Sequence, residues 1–220
     1  MTHLKYLLSR QSELTTVIIN VGTDNRGDYA VLDETVFHRA GGGQKSDQGW
    51  INDKPVHDVR LDQTSGETRH YMDTTEGLIN EQVAHMVLDQ KTRALHSAYH
   101  SGGHLIALII EAKLDDCRVT GGHHWPGEAR LELVFDIKHP DDFASLTTQL
   151  QLQVDKAIAA QLRVFYHYEE ATQLRTVSIG DYPDFSCGGT HILTTGELIG
   201  LTITAIKIRK GKVRLSYRIG

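Results

Sequence analysis

Residues 90–113, QKTRALHSAYHSGGHLIALIIEAK, carry one long helical pattern that separates two parts of the chain with different character. The second half of this pattern is apolar almost all the way round, and such a helix is stable only where it is buried. Other elements of the chain must therefore cover it. A chain of 220 residues is long enough to build a sizeable hydrophobic core around it.

The residues before this helix are typical of β-structure. TTVIINV at 15–21 is rich in β-branched residues and ends at the turn signal GTDNRGD, and residues 50–73 read as short strands joined by polar turns. A small antiparallel barrel or sandwich fits this pattern. We expect a β-barrel-like domain over residues 1–85.

The residues after the helix mix strands and a second helix, which favours an α+β fold of antiparallel sheet and helices over residues 86–220. The pattern predicts strands at CRVTGG, ARLELVFDI and RVFYHYE, a helix over 141–162, and a C-terminal hairpin of LIGLTITAIKI and KVRLSYRI around Lys210-Gly211-Lys212.

Composition limits the class of protein. The first sixteen residues do not resemble a signal peptide, and the longest apolar run, residues 105–110, is far too short to cross a bilayer. Two cysteines make no disulfide framework. We therefore expect a soluble cytoplasmic protein with no membrane partner.

The charge of the chain is unevenly distributed. The formal net charge is −5, which argues mildly against nucleic-acid binding, but the C-terminal stretch KIRKGKVRLSYR contains six basic residues and no acid. A solvated hairpin face and a phosphate-binding face both fit this stretch.

Two short segments could each supply half of a metal site. His100 and His104 in HSGGH lie four apart, so on a helix their imidazoles share one face. Cys187 and His191 in CGGTH have the same spacing. Three imidazole nitrogens and one thiolate form a good tetrahedral set of zinc ligands. Either pair alone, however, is more often explained by core packing or by a surface position than by metal binding. Taken together, the four residues favour a shared site.

Glycines accompany both pairs. They could let backbone approach a substrate closely, or expose N–H groups of CGGTH to a carbonyl or phosphate oxygen, or simply form tight turns. Ser101 stands where the metalloprotease motif H-E-x-x-H has its glutamate, which excludes that kind of peptidase.

A third motif completes a recognisable pattern. FHRAGGGQKSDQG at 37–49, HSGGH and SIGDYPDFSCGGTHILTTGELIG occur in the order found in the editing domain of alanyl-tRNA synthetase. Over roughly residues 30–210 the chain resembles the free-standing alanyl-tRNA editing proteins of the AlaX type, and CGGTH with the preceding IGD is the most specific part. The threonyl-tRNA synthetase editing domain shares part of the second domain, and GGGQ favours the alanyl branch.

The resemblance implies a function, a cofactor and a partner. It implies a trans-acting deacylase that removes serine or glycine from mischarged alanine tRNA, with Zn²⁺ held by His100, His104, Cys187 and His191. It implies a β-barrel-like domain carrying the GGGQ loop, followed by an editing domain. DNA is not expected as a partner, and the oligomeric state stays open.

Further site residues are expected around these motifs. Substrate contacts are predicted for Gly41, Gly42, Gly43, Gln44, Gly188, Gly189 and Thr190. Phosphate contacts with tRNA are predicted for Lys207, Arg209, Lys210, Lys212 and Arg214.

Ser101 and Asp181 are the candidate catalytic residues. Ser101 could form a hydrogen bond with the hydroxyl of a seryl group, which an apolar pocket recognises poorly. Alternatively, its hydroxyl could only form a hydrogen bond with a backbone group near the helix terminus. Asp181 could orient a ligand or bind the substrate amine, or only form a turn. His123 and His124 could line the pocket, but loop histidines are the simpler interpretation.

The chain departs from the family pattern at three positions. His38 and Arg39 stand where an aromatic residue and a proline are common, and Ser101 stands where threonine is common. These departures affect the choice of substrate more than the chemistry.

The role of zinc stays open at this point. Four protein ligands leave no position for water unless one ligand moves or the coordination expands, and His191 is the candidate for the ligand that moves. Alternatively, zinc only anchors the substrate amine or organises the pocket. A non-catalytic zinc-stabilised RNA-binding module and a metal-dependent hydrolase of small esters or amides are the alternative functions.

Overall fold

The chain folds into two compact units. The structure, a computed structural model, describes residues 2–135, 143–169, 171–172, 174–209 and 212–220. Unit 1 is Met1–Gly41 with Lys45–Ala94, and unit 2 is Gly42–Gln44 with Leu95–Gly220. Both helices and several antiparallel sheets lie in the described ranges, so the predicted α+β class is confirmed. The domain boundary near residue 85 stays a prediction.

Unit 1 is built from strands. They are β1 (His3–Leu4), β2 (Glu13–Asp24), β3 (Gly27–Leu32), β4 (Glu34–Thr35), β5 (Gly49–Ile51), β6 (Lys54–Leu61), β7 (Thr68–Met72) and β8 (Val83–Leu88). Six of them close into an antiparallel barrel in the order β2-β3-β7-β6-β5-β8. Fully buried side chains such as Ile18, Ile51 and Met86 form its core. Each stabilises the fold by about 1.5–3 kcal/mol relative to exposure.

The long helix α1 spans Gln90–Lys113, as predicted. Asp89 caps its start, because its carboxylate accepts hydrogen bonds from the backbone N–H groups of Lys91 (3.0 Å) and Thr92 (3.1 Å). Such a cap is worth about 1 kcal/mol. Gly102 and Gly103 lie in the middle of the helix, where each costs about 1 kcal/mol relative to alanine. Some other requirement must keep them there.

The remaining elements of unit 2 form two antiparallel sheets and a second helix. They are β9 (Arg118–His123), β10 (Arg130–Val134), α2 (Phe143–Ala159), β11 (Val164–Glu169), β12 (Leu174–Ile179), β13 (Phe185–Ser186), β14 (Thr202–Arg209) and β15 (Lys212–Arg218). One sheet has the order β14-β15-β10-β9 and the other β11-β12-β13. The predicted second helix began at residue 141, which lies outside the described residues.

The core of unit 2 collects around α1. Leu105, Ile106 and Ile110 are fully buried with Leu131 of β10 and Leu150 of α2. The expectation that the second half of α1 is buried is confirmed, since this half is covered by sheet and helix together. No helix among the described residues is long and apolar enough to span a membrane.

Candidate metal centre

Two segments of unit 2 bring four metal-binding side chains together. His100 and His104 come from consecutive turns of α1, and Cys187 and His191 from the loop that follows β13. One donor atom of each lies within 4.8 Å of the donor atoms of the other three. The two motifs, 83 residues apart at their nearest members, thus form a single cluster.

The spacing of these atoms suits a tetrahedral ion. His100 Nε2 lies 3.0 Å from His104 Nε2, and Cys187 Sγ lies 3.5 and 3.4 Å from the same two nitrogens. A zinc ion with bonds of about 2.0–2.3 Å would hold its donors about 3.3–3.8 Å apart. The two distances from Cys187 fall within this range and the distance between the two nitrogens lies just below it, so the donor set suits zinc and this group could hold a metal ion.

Gln44 sets the tautomer of His100. The backbone N–H of Thr190 donates to Gln44 Oε1 at 2.8 Å, which identifies that end of the amide as the oxygen. His100 Nδ1 also contacts this oxygen, so Nδ1 carries the hydrogen and Nε2 is left with its lone pair. Gln44 Nε2 donates to Thr190 Oγ1 at 2.7 Å. The amide thus holds the His100 imidazole in a tautomer whose Nε2 could bind a metal ion.

Ser101 contacts a second ligand of the group. Its hydroxyl is fully buried, lies 3.1 Å from His191 Nδ1, and accepts a hydrogen bond from the backbone N–H of Ile192 at 3.2 Å. In this structure it orients His191. Its predicted contact with a seryl hydroxyl stays a prediction.

Burial favours the neutral forms of two of the four side chains, His104 and Cys187. Burial, with a smaller effect of His124, lowers the pKa of His104 to about 3. Burial also raises the pKa of the Cys187 thiol, although the Gly189 N–H and Arg175 oppose that rise. A bound cation would reverse the effect on the thiol, because metal coordination favours the thiolate.

Arg175 on β12 holds the loop that carries Cys187. Nothing in the sequence indicated this role. Its Nε donates to the carbonyl of Cys187 at 2.9 Å, and its NH2 group contacts the carbonyl of Gly189. Its guanidinium lies 4.7 Å from the ring centre of Tyr166. Because the partners are backbone carbonyls, no residue pattern in the sequence could have indicated this contact.

Two of the motif glycines lie against imidazole rings. A Cβ on Gly189 would lie 1.9 Å from His100 Cε1, and a Cβ on Gly43 would lie 2.9 Å from His124 Cδ2 and 2.3 Å from the carbonyl oxygen of Gly122. Gly43 also has a φ of 78°, which favours glycine. Close approach does explain these glycines, but the groups approached belong to the protein itself: His100 for Gly189, and His124 with the Gly122 carbonyl for Gly43.

The other predicted substrate residues have varied surroundings. Gly41, Gly42 and Gly188 are exposed, and the N–H groups of Gly189 and Thr190 are engaged by Cys187 Sγ and Gln44. Their contacts with substrate stay predictions.

The structure does not bring Asp181 into the group of four. It is exposed in the turn after β12. The loop interpretation of His123 is wrong, because His123 ends β9, where it is partly exposed and lies 3.5 Å from Glu128. His124 follows the strand and is buried against His100.

The basic residues of the C-terminal hairpin share one face of the four-stranded sheet. Cross-strand pairing places Lys207 opposite Arg214 and Arg209 opposite Lys212, and Arg130 of β10 and Arg118 of β9 occupy the same face. We call these six residues the basic sheet face. Lys210 lies outside the described residues.

An acid interrupts this face. Glu132 of β10 pairs with Lys212 at 2.8 Å and with Arg214 at 2.9 Å. Both contacts lower the pKa of Glu132, which therefore stays ionised. The sequence of the hairpin contains no acidic residue. In the fold, however, Glu132 lies beside its basic residues, because β10 pairs with β15.

Comparison with known proteins finds relatives named as alanyl-tRNA editing proteins. No family model matches it. The alanyl-tRNA editing protein AlaX-M of Methanosarcina acetivorans is 25% identical, over 96% of this chain and 96% of that protein. AlaX-M of Saccharolobus solfataricus is 26% identical, over 88% of this chain and 89% of that protein. The resemblance to AlaX-type proteins is confirmed.

The similarity extends to the synthetases. The alanine–tRNA ligase of Metallosphaera sedula is 26% identical over 88% of this chain. The chain spans about a quarter of the ligase, 24% of its length, but nearly the whole of the AlaX-M proteins. The chain is therefore similar to nearly the whole of the free-standing AlaX-M proteins, but only to a segment of the ligase.

Proposed function

We propose that this protein is a trans-acting deacylase that hydrolyses the ester between a wrongly attached amino acid and alanine tRNA. Serine is the proposed amino acid, with glycine as a second substrate. The convergence of His100, His104, Cys187 and His191 in one cluster carries the proposal. The similarity to AlaX-M proteins over nearly their whole length supports the free-standing mode of action.

Zinc is the proposed cofactor of this cluster. When bound, zinc would polarise the ester carbonyl and acidify water. The protein's own contribution is to hold four donors at fixed positions. Gln44 keeps His100 in one tautomer, Ser101 contacts His191, and Arg175 ties down the loop that carries Cys187.

The basic sheet face is the proposed tRNA-binding surface. Lys207 and Arg209 on β14 are exposed, and their pairing with β15 extends the charge across two strands. Such a face attracts phosphates whatever the base sequence. It therefore suits a tRNA whose shape and attached amino acid are recognised by other parts of the protein.

The proposed domain organisation follows the resemblance. Residues 1–85 form a β-barrel-like domain, and residues 86–220 form an editing domain of the threonyl/alanyl-tRNA synthetase type. The closed barrel within unit 1 and the location of all four donors within unit 2 support this division.

Incubation with labelled Ser-tRNA, Gly-tRNA and Ala-tRNA tests the activity. We expect the protein to release serine and glycine and to spare alanine. Replacing Cys187 by alanine should weaken metal binding and deacylation about 100-fold or more, since even an outer-shell partner is worth about 10–100-fold. Cys117→Ala is the matched control, because Cys117 is the other free cysteine and lies outside the cluster.

Each alternative function has its own outcome in this assay. Metal and tRNA binding without release of any amino acid would identify a non-catalytic RNA-binding module. Hydrolysis of small esters with no effect on Ser-tRNA would identify a small-molecule hydrolase. Either result would overturn the proposed deacylase.

The salt dependence of tRNA binding tests the basic sheet face. Lys207→Gln and Arg209→Gln should each weaken binding and reduce the slope of log K against log salt by about 0.7–0.9. Glu132→Gln should act in the opposite direction, because it removes the acid that pairs with Lys212 and Arg214. Lys156→Gln, an equal charge change on α2, should leave the slope unchanged. Equal slopes in all four variants would place the tRNA on another surface.

A further inference from the structure

His124 packs directly on the metal centre without belonging to its four donors. It follows β9 and is only 5% exposed. Its ring is stacked on that of His100, with 4.9 Å between the ring centres and 17° between the planes. One face of a candidate ligand is therefore covered by a second imidazole.

The orientation of the His124 ring is determined by its hydrogen bonds. Nδ1 lies 2.6 Å from the hydroxyl oxygen of Tyr217. That hydroxyl donates its one hydrogen to the carbonyl of Tyr99 at 2.9 Å, so it accepts from Nδ1–H. The backbone N–H of His124 donates to the carbonyl of Gly43 at 2.9 Å. The ring is thus held in one tautomer and anchored at its backbone.

Three glycines from separate segments form the slot that this ring occupies. A Cβ on Gly103 of α1 would lie 2.3 Å from His124 Nδ1, and one on Gly122 of β9 would lie 2.4 Å from Nε2. A Cβ on Gly43 would lie 2.9 Å from Cδ2. A Cβ on Gly103 or Gly122 would displace the ring, and one on Gly43 would press on both the ring and the carbonyl oxygen of Gly122, so glycine lines the slot on three sides.

We propose that His124 is a positioning residue for His100. Stacking on His124 limits the tilt of the His100 ring, and Gln44 fixes its rotation through Nδ1. The two contacts together aim Nε2 of His100 at the other donors. This inference rests on the metal site of the proposed function, but it does not depend on deacylation.

Gly103→Ala, with Gly102→Ala as its matched control, tests the inference. Both change one glycine of the same turn of α1, but the atoms nearest to a Cβ on Gly102 are side-chain carbons of Leu201 and Ile219, at 3.3 Å or more. Zinc affinity is measured by competition with a chromophoric chelator, and ligand geometry by the absorption of the Co²⁺-substituted protein. Gly103→Ala should weaken zinc binding about 10–100-fold and shift the cobalt bands. Gly102→Ala should match wild type in both.

A double variant separates this effect from distortion of the helix at His104. If Gly103→Ala acts by displacing His124, then adding His124→Ala should cost no further affinity. Additive losses would overturn the inference, as would a Gly103→Ala protein with wild-type affinity and cobalt spectrum.

Tyr217→Phe keeps the test informative if Gly103→Ala does not fold. It preserves the ring and removes the hydroxyl that accepts from His124 Nδ1–H and donates to the Tyr99 carbonyl, and it should shift the cobalt bands while the protein stays folded. An unshifted spectrum would overturn the inference. A wild-type protein that binds no metal would overturn both the proposed site and this inference, whereas wild-type binding with unaltered variants would overturn this inference alone.

Discussion

Gly189→Ala is expected to weaken metal binding about 100-fold or more, which is at or beyond the upper end of what outer-shell changes cost. The added Cβ would lie 1.9 Å from His100 Cε1, 2.2 Å from His100 Nδ1 and 2.7 Å from Gln44 Oε1. Real side chains do not approach so closely, and the loop is held by Arg175. The methyl group must therefore displace His100 and break its contact with Gln44. Zinc content after dialysis against a chelator measures the effect.

The neighbouring glycine provides the control. A Cβ on Gly188 meets nothing within 4 Å, so Gly188→Ala should retain zinc. Its deacylation rate then tests separately whether Gly188 contacts substrate, as the sequence predicts. Full zinc occupancy in Gly189→Ala would show that the loop adapts, and that the close packing of Gly189 on His100 is not needed for the metal site.

The local elements of the fold were largely predictable from the sequence. The helix over 90–113 and the C-terminal hairpin are confirmed, because hydrophobic period and turn residues are local signals. The short strands β12 and β13 were missed. The barrel order β2-β3-β7-β6-β5-β8 depends on pairings between distant segments, which no local pattern encodes.

The same distinction applies to the site. The spacing of HSGGH and CGGTH predicted which four side chains share a cluster, since each pair is local and only the two pairs had to meet. The glycines indicated that something approaches closely, but not what does. Contacts such as Arg175 with the loop carbonyls and Glu132 with the hairpin arise from strand pairing, so residue type alone could not indicate them.

His70 should make the stability of the barrel fall in mild acid. It is fully buried on β7, and its Nδ1 lies 3.1 Å from the carbonyl oxygen of Ala30. A carbonyl only accepts, so Nδ1 carries the hydrogen and Nε2 accepts from the hydroxyl of Thr35 at 2.8 Å. Burial lowers the pKa of His70 from 6.5 to about 4, although the bond to Ala30 opposes the shift.

The direction of the effect follows from proton linkage. Between pH 6.5 and 4 the unfolded chain binds a proton at His70 that the folded barrel does not, so acid favours unfolding. The stabilisation is complete above pH 6.5 and is lost as pH falls through this window. With 1.36 kcal/mol for each pKa unit, the loss amounts to about 3 kcal/mol.

Urea unfolding of His70→Asn against the parent protein measures this loss. Trp50 on β5 reports on the barrel if Trp125, the other tryptophan, is replaced by phenylalanine in both proteins. At pH 7 the asparagine variant should be less stable than the parent, and the difference should shrink as the pH falls to 4, because only the parent loses stability through His70. If the two stabilities fall in parallel, then the buried imidazole is not the group that titrates, and the acid sensitivity of the barrel lies in its carboxylates.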